Sequence, residues 1–295
     1  MIVMEDKKLK IKFHRIVQLA LKEDLGRGDI TTEAVVKDEE RTLGIIFPKQ
    51  NGVLCGIELA RMVFAELDPR VNFEAQMKDG EEFTTGAAIA TVIGPAAACL
   101  KGERTALNFL QHLSGIATLT RQFVNAAGGR IKILDTRKTM PGLRVIEKYA
   151  VRTGGGYNHR FGLHDMVLIK DNHIQIAGGI TNAVQAVRKT RRAFIEVEVK
   201  TKDELKEALG LKVNRIMLDN MNLDQMRQAV DIIRQQDRPR HRTEIEISGG
   251  VDLGNIRHFA ELDIDFVSVG SLTHSAPAVD IALKMKPLSI AESTK

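Results

Sequence analysis

The hydrophobic pattern of the chain changes after the first 130 residues. Before that point helix-like and strand-like stretches alternate without a fixed repeat: residues 13–22 have the spacing of an amphipathic helix, and residues 43–47 and 87–94 have the short apolar character of strands. Over residues 102–127, leucine and isoleucine recur at three-residue steps, which predicts one or two long helices. The first part of the chain therefore predicts a small α/β domain.

From residue 131 onward, short β-branched runs alternate regularly with helix-like segments. The six runs lie at residues 131–135, 166–170, 194–199, 215–219, 243–248 and 265–270. Alternating strands and helices favour a parallel sheet, which either closes toward a barrel or stays open and doubly wound. Every run ends in polar or glycine residues, as the strands of barrel enzymes do at their carboxyl ends. This feature favours the barrel.

The overall composition is that of an ordinary globular α/β protein, with 43% hydrophobic and 27% charged residues. No apolar run approaches the ~20 residues that span a bilayer, and the amino terminus is charged, so we expect a cytoplasmic protein without a membrane partner. Cys55 and Cys99 lie far apart and form no C-x-x-C motif. We expect both cysteines to be core residues, with no disulfide and no zinc.

The net charge of +5 indicates an anionic partner. The positions of the basic residues along the chain help to distinguish a nucleic acid from a small anion. Residues 130–160 contain eight Lys or Arg against two acids, yet the whole chain has no Trp and only two Tyr. Surfaces that bind single-stranded nucleic acid usually combine basic charge with aromatic side chains. We therefore expect a buried site for a small anion and no nucleic-acid partner. A nucleic-acid-binding protein is the alternative class that the basic pI leaves open.

Two glycine loops follow the last two predicted strands. SGGV begins at Ser248, and SVGSLTHSAP begins at Ser268. Glycine lets backbone N–H groups approach a phosphate, and barrel enzymes commonly bind phosphate at these two loops. The sequence has neither the G-x-x-x-x-G-K-[ST] loop nor a G-x-G-x-x-G after a strand, so nucleoside triphosphate and dinucleotide sites lose their main support. The loops predict a site for a phosphorylated small molecule.

Acidic residues end two neighbouring strands. Glu198 and Asp219 are expected to share the mouth of the barrel, where they hold ribose hydroxyls directly or through Mg²⁺. Structural salt bridges are the alternative role for this pair. Glu196 lies on the same face as Glu198 but deeper, and we expect it to form an ion pair with a lysine of the barrel.

Basic residues occupy the ends of the first two strands and the loop between them. They are Arg137, Lys138, His159, Arg160 and Lys170. Arginine binds a carboxylate through two parallel hydrogen bonds and keeps its charge when water is removed. Several such groups at one mouth predict a multiply charged anion. A solvated basic face is the alternative.

Eight blocks of sequence occur in an order that matches one known family. They are EDLGRGDITT (23–32), GERTALNFLQHLSGIAT (102–118), DTRKTMPGLR (135–144), GGGYNHRFGLHDMVLIKDNHI (154–174), EVEV, MLDN, EISGGV and VSVGSLTHSAPAVD. In this order they resemble quinolinate phosphoribosyltransferase, the family also called nicotinate-nucleotide pyrophosphorylase (carboxylating). The resemblance runs from about residue 20 to about residue 285.

The resemblance implies a fold and an assembly. It implies an α/β protein with an incomplete, open parallel α/β barrel and a smaller N-terminal α/β sandwich domain. The domains are expected at residues 1–116 and 117–295, with a last helix over about 276–290 that packs back on the N-terminal domain. A homodimer or an assembly of dimers, with the active site shared between subunits, is implied as well.

The resemblance also implies a reaction, that of a pentosyltransferase of the glycosyltransferase class in de novo NAD biosynthesis. Such an enzyme joins quinolinate and phosphoribosyl pyrophosphate in the presence of Mg²⁺, and it gives nicotinate mononucleotide, pyrophosphate and CO₂. A related phosphoribosyltransferase for another aromatic acid is the alternative.

The residues implied for quinolinate are Arg104 from the neighbouring subunit, Arg137, His159, Arg160 and Lys170. Those implied for the phosphoribosyl half are Lys138, Glu198, Asp219, Ser248, Gly249, Gly250, Gly270 and Ser271, and Thr136 is a further substrate contact. Lys138, Glu198 and Asp219 are the expected catalytic residues, and the two acids are the expected Mg²⁺ ligands.

Overall fold

A computed structural model describes residues 7–237 and 242–288. The helices are α1 (Lys7–Leu25), α2 (Ile30–Val35), α3 (Ile57–Leu67), α4 (Ala96–Ala126), α5 (Arg144–Thr153), α6 (Asp171–Ala177), α7 (Ile180–Thr190), α8 (Lys202–Gly210), α9 (Leu223–Gln236), α10 (Ile256–Phe259) and α11 (Ser271–His274). The strands are β1 (Arg41–Pro48), β2 (Gly52–Val53), β3 (Asn72–Ala75), β4 (Glu82–Phe83), β5 (Ala90–Pro95), β6 (Lys132–Leu134), β7 (Val167–Ile169), β8 (Ile195–Val199), β9 (Arg215–Asp219), β10 (Glu244–Ser248), β11 (Phe266–Ser268) and β12 (Ile281–Leu288).

The described residues form two compact units, each assembled from separate segments of the chain. The first unit contains residues 7–121, 139–155 and 274–288, and the second contains residues 122–138, 156–237 and 242–273. The sequence predicted a boundary between residues 116 and 117, with the segment at about 276–290 packing back on the N-terminal domain. In the structure the first unit also includes residues 117–121 and 139–155.

An antiparallel sheet with the strand order β12-β1-β5-β3 forms the centre of the first unit. The prediction of a helix over 276–290 is wrong within the described residues, because Ile281–Leu288 is a strand that pairs with β1 from Arg41↔Leu288 to Pro48↔Ile281. The physical reason is the alternation of apolar Ile281, Leu283 and Met285 with Lys284 and Lys286, which has the period of a strand. Residues 289 and 290 of that prediction lie outside the described residues.

A parallel sheet with the strand order β6-β11-β10-β9-β8-β7 forms the second unit. All six strands predicted from the alternation of runs and helices are present, and the fold class is confirmed. Although β6 and β7 follow one another in the chain, they lie at opposite ends of the strand order and are not paired with each other. The barrel is therefore open between them. Tyr157 forms an isolated parallel bridge to Leu134 of β6, at this free edge.

Residues 102–127 were predicted to form one or two helices, and they lie almost entirely within the single helix α4. Within the described residues, no helix combines the length and the apolar character that crossing a membrane requires. Cys55 and Cys99 are both buried and unbridged, as predicted.

Gly115 of α4 lies where the backbone of another segment approaches the helix closely. A β-carbon placed on Gly115 would overlap the carbonyl oxygen of Pro277, which belongs to the segment just before β12. Only a residue without a side chain lets this segment pack against the middle of the helix. By contrast, a β-carbon on Gly210, at the end of α8, would meet nothing within 4 Å.

We predict that Gly115→Ala destabilises the protein by about 1–3 kcal/mol, because the added methyl group overpacks a site bounded by rigid backbone. Gly210→Ala is the matched control, and it should be neutral or stabilising by a few tenths of a kcal/mol, since alanine favours helix more than glycine. Urea unfolding of both variants and the parent measures the effect. Equal stability of the two variants would contradict the close approach.

Candidate active site

All predicted site residues except Arg104 lie in the second unit, and they follow the carboxyl ends of its strands. Thr136, Arg137 and Lys138 follow β6, Lys170 follows β7, Glu198 lies in β8, and Asp219 ends β9. Ser248 ends β10 and is followed by Gly249 and Gly250, while Gly270 and Ser271 follow β11. His159 and Arg160 come just after the bridge between Tyr157 and Leu134. Because the carboxyl ends of parallel strands meet at one edge of a sheet, the second unit gathers these side chains at one mouth.

An ion pair joins the acidic and basic sets at this mouth. The Lys170 Nζ atom lies 2.8 Å from a carboxylate oxygen of Glu198, whose side chain is only 6% exposed. On the other side of Glu198, Lys200 lies 3.9 Å away and is itself paired with Asp171 at 2.8 Å. Sequence reasoning missed Lys200 and Asp171. Their position next to strand ends was a signal that could have identified them.

The two glycines after β10 have backbone conformations that favour glycine. Gly249 has φ +94° and Gly250 has φ +62°, and a β-carbon on Gly249 would overlap the Asn220 side chain. The Asn220 backbone N–H donates to the Ser248 carbonyl at 2.9 Å, and its side-chain amide donates to Asp219 at 2.9 Å. A cavity of about 310 Å³ borders both glycines and Asn220. The loop thus leaves its glycine backbone beside a cavity and fixes the orientation of the Asp219 side chain through Asn220.

Two other loops of the mouth are joined by a hydrogen bond. The Thr136 hydroxyl accepts from the backbone N–H of Lys138 at 3.0 Å, which shapes the turn after β6. The Thr273 hydroxyl donates to the carbonyl oxygen of Lys138 at 2.7 Å. The segment that carries Lys138 is therefore held against the segment after Gly270, the second glycine loop.

A cluster of charged side chains is buried in the second unit beneath these loops. Nε2 of His159 lies 3.3 Å from an oxygen of Glu196 and 3.4 Å from an oxygen of Glu246, and both carboxylates are fully buried. Arg215 lies 3.0 Å from Glu246 and 3.9 Å from Glu196, and the Ser268 hydroxyl donates to Glu246.

The expectation that Glu196 pairs with a barrel lysine is therefore wrong, because its ionic partners are His159 and Arg215. The cause is strand register: Glu196 of β8 lies directly beside Arg215 of β9. A guanidinium at that neighbouring position reaches two carboxylates at once, and the pairing of residues between strands is not encoded in either strand alone.

The cluster holds a proton more strongly than its members do in water. Burial and the neighbouring Glu246 raise the pKa of Glu196 to about 7. Burial alone would lower the pKa of His159, but contacts with Glu196 and Glu246 raise it. Nδ1 of His159 accepts a hydrogen bond from the Arg160 amide at 2.7 Å. Because Nδ1 acts as an acceptor, the ring carries its proton on Nε2, the atom that faces the two carboxylates.

An open parallel barrel with acids, bases and a glycine cradle at its strand ends defines an enzyme that binds anionic, phosphorylated small molecules. Family models identify it further: the N-terminal domain of quinolinate phosphoribosyl transferase matches residues 29–114, and the C-terminal domain matches residues 116–284. The chain belongs to the quinolinate phosphoribosyltransferase family.

Individual relatives support this membership over most of their length. The probable nicotinate-nucleotide pyrophosphorylase (carboxylating) of Synechocystis sp. is 43% identical over 272 residues, covering 91% of this chain and 91% of that protein. The protein of the same name from Bacillus subtilis is 42% identical over 267 residues, covering 88% of this chain and 89% of that protein. The crystal structure of NadC from Streptococcus pyogenes has a TM-score of 0.88 at 42% identity, covering 95% of this chain and 98% of that chain.

Proposed function

We propose that this chain transfers the phosphoribosyl group of phosphoribosyl pyrophosphate to quinolinate and releases one carboxyl group as CO₂, giving nicotinate mononucleotide and pyrophosphate in de novo NAD biosynthesis. The observation that carries the proposal is the gathering of separate acidic, basic and glycine groups at one edge of the second unit's sheet. Each group suits a different part of the two substrates. The family membership of the chain supports the same reaction.

The basic set suits a dicarboxylate. Arg137, Arg160 and Lys170 supply three cations at the end of one barrel, and His159 is a further predicted contact. A guanidinium binds a carboxylate through two parallel hydrogen bonds, so two arginines suit two adjacent carboxylates on one ring. Lys170 contributes to this set when it leaves its ion pair with Glu198. A ring with a single carboxylate leaves part of this set without a partner.

The acidic set suits the sugar. Breaking the bond between ribose C1 and pyrophosphate leaves positive charge on the sugar, which the carboxylates of Glu198 and Asp219 stabilise. Lys138 neutralises charge on the departing pyrophosphate, and the loop at Gly249 and Gly250 holds the 5′-phosphate. The ring nitrogen of quinolinate forms the new bond to C1 and becomes a pyridinium. When the adjacent carboxylate leaves as CO₂, its bonding electron pair stays on the ring carbon as a carbanion, which the neighbouring cationic nitrogen stabilises. This carbon then takes a proton from water to give nicotinate mononucleotide.

The donor set of the acids fits Mg²⁺, a cation that prefers carboxylate oxygens together with substrate phosphates. Glu198 lies one residue before the end of β8 and Asp219 ends the neighbouring parallel strand β9, so two carboxylates are available near the same edge of the sheet. These two residues would hold the ion. When bound, Mg²⁺ would supply neutralising charge for the pyrophosphate group.

We also propose that the active site is completed by a second copy of the chain. Arg104 is exposed in α4, in the first unit, whereas every other predicted site residue belongs to the second unit. A two-fold homodimer places the same surface of each subunit against the other, so one subunit's arginine is available to the partner's mouth. A contact between Arg104 and an acid of its own chain is the alternative.

The proposed reaction is tested by incubating the purified protein with phosphoribosyl pyrophosphate, Mg²⁺ and either quinolinate or nicotinate. We expect nicotinate mononucleotide and CO₂ in equal amounts from quinolinate. We expect kcat/KM for nicotinate to be lower by a factor of about 10² or more, because buried cations are left without the second carboxylate.

Asp219→Asn, purified in the same way, controls for a contaminating host enzyme. Its turnover should fall about 10²-fold, since it loses a charge that acts when the sugar becomes cationic. Asp224→Asn, which changes an exposed acid of α9, should keep full activity. Comparable kcat/KM values for nicotinate and quinolinate would place the chain with transferases of another ring acid.

The shared site is tested by mixing two variants, Arg104→Ala and Lys138→Ala, under conditions that allow subunits to exchange and at a quinolinate concentration at which each variant alone has little activity. Mixed dimers contain one site whose arginine and lysine are both intact, so activity should reappear. Arg104→Ala alone should bind quinolinate about 10- to 100-fold more weakly, because it loses a charge-assisted contact. Mixed dimers that are folded yet inactive would show that Arg104 does not act across the interface.

A further inference from the structure

The buried charges of the second unit lie one layer below the proposed active site. On β8, Glu196 precedes Glu198 by two residues, on β10 Glu246 precedes Ser248 by two, and Ser268 precedes Gly270 by two. Residues two apart in a strand face the same side of the sheet. Glu196 therefore underlies Glu198, and Glu246 underlies Ser248.

His159 connects the two layers. Its Nε2 atom faces the carboxylates of Glu196 and Glu246 at 3.3 and 3.4 Å, and its Nδ1 atom accepts from the Arg160 amide at 2.7 Å. Its own backbone N–H donates to Asp135 at 2.9 Å. Both ring nitrogens therefore have contacts inside the protein. Hydrogen bonds from two consecutive backbone amides, those of His159 and Arg160, also hold the chain where it leads into Arg160.

The lower layer is itself fixed by Arg215. Its Nη1 atom contacts Glu246 at 3.0 Å, its Nε and Nη2 atoms contact Glu244 at 2.9 and 2.8 Å, and its guanidinium stacks on Phe266 at 4.0 Å from the ring centroid. Burying so many charges is costly, and apolar side chains of similar volume commonly stabilise a protein at least as well. Stability alone therefore does not explain why the side chains of this layer are charged.

We propose that Glu196 and Glu246 are positioning residues for quinolinate: through the His159 ring they fix the backbone from which Arg160 reaches the substrate. The inference rests on the proposed function and on the predicted role of Arg160. In this arrangement the His159 ring links the buried carboxylates to the backbone amide of the binding arginine.

A bound metal ion is the competing explanation for the same residues. One ligand atom each from His159, Glu196 and Glu246 lies within 4.8 Å of the others, a spacing that suits a cation. However, the Arg215 guanidinium already contacts Glu246 at 3.0 Å and would repel a cation at that point. The observed ion pairs therefore favour the positioning role.

Steady-state kinetics of Glu196→Gln and Glu246→Gln test the proposal. Each variant keeps the shape of the side chain but removes the charge that orients His159. We expect KM for quinolinate to rise about tenfold, while kcat and KM for phosphoribosyl pyrophosphate stay within about twofold, because the lost interaction acts on one substrate in both its ground and transition states. Calorimetric titration with quinolinate alone should show the same tenfold loss.

Glu244→Gln is the matched control, since Glu244 contacts Arg215 from the other side and lies on the same strand as Glu246. It should leave the quinolinate KM unchanged. Ser268→Ala, which removes only the hydroxyl that donates to Glu246, is a milder variant that should raise this KM two- to threefold even if the glutamine variants fail to fold. Thermal unfolding of each variant reports whether it is folded.

Three kinds of result would overturn the inference. The first is evidence that the barrel is loosened in general. It would be either a rise in the quinolinate KM of Glu244→Gln equal to that of the other glutamine variants, or parallel losses in kcat and in both KM values. The second is an unchanged quinolinate KM in folded glutamine variants of an active wild type. The third is an equimolar metal in the wild type that Glu196→Gln loses, measured by elemental analysis. An inactive wild type would instead contradict the proposed reaction itself.

Discussion

The arrangement of the second unit depends on charged side chains that are buried within a parallel sheet and must form ion pairs with one another there. An isolated buried charge is costly enough that it is normally paired or neutralised. Arg215 meets this constraint by contacting Glu246 and lying close to Glu196, and the His159 ring closes the cluster on the other side. Because these groups come from different strands and from the loop after Tyr157, their pairing fixes the strands and that loop relative to one another.

The layer above, at the carboxyl ends of the strands, has the opposite requirement. Its acids and bases must be available to substrates, so their pairing has to be replaceable. Lys170 and Glu198 form an ion pair in which the lysine is half-exposed while the carboxylate is nearly buried. The proposed reaction assigns these two residues to different substrates, with the lysine on the dicarboxylate and the acid on the sugar. In the structure, these two side chains neutralise each other.

Much of the fold could be predicted, because periodicity is a property of each segment by itself. The six strands of the barrel and the long helix α4 follow from local patterns. The segment at Ile281–Leu288 was misassigned because its distant partner β1 decides its structure. The partners of Glu196 could not be predicted either, since the neighbour of a strand residue depends on register. Polar strand ends identified the edge where the predicted site lies, while the roles of the individual residues remain predictions.

The central claim is that a paired ionic layer beneath the mouth holds His159 and thereby the loop that carries Arg160. Nuclear magnetic resonance of protein labelled with ¹⁵N-histidine tests it directly, with His159→Asn identifying the ring signals. We expect the Nε2 proton to be visible and slow to exchange at neutral pH and Nδ1 to be unprotonated, since Nε2 faces two buried carboxylates while Nδ1 accepts from the Arg160 amide. A ring whose Nε2 proton exchanges rapidly, or whose proton lies on Nδ1, would contradict the account.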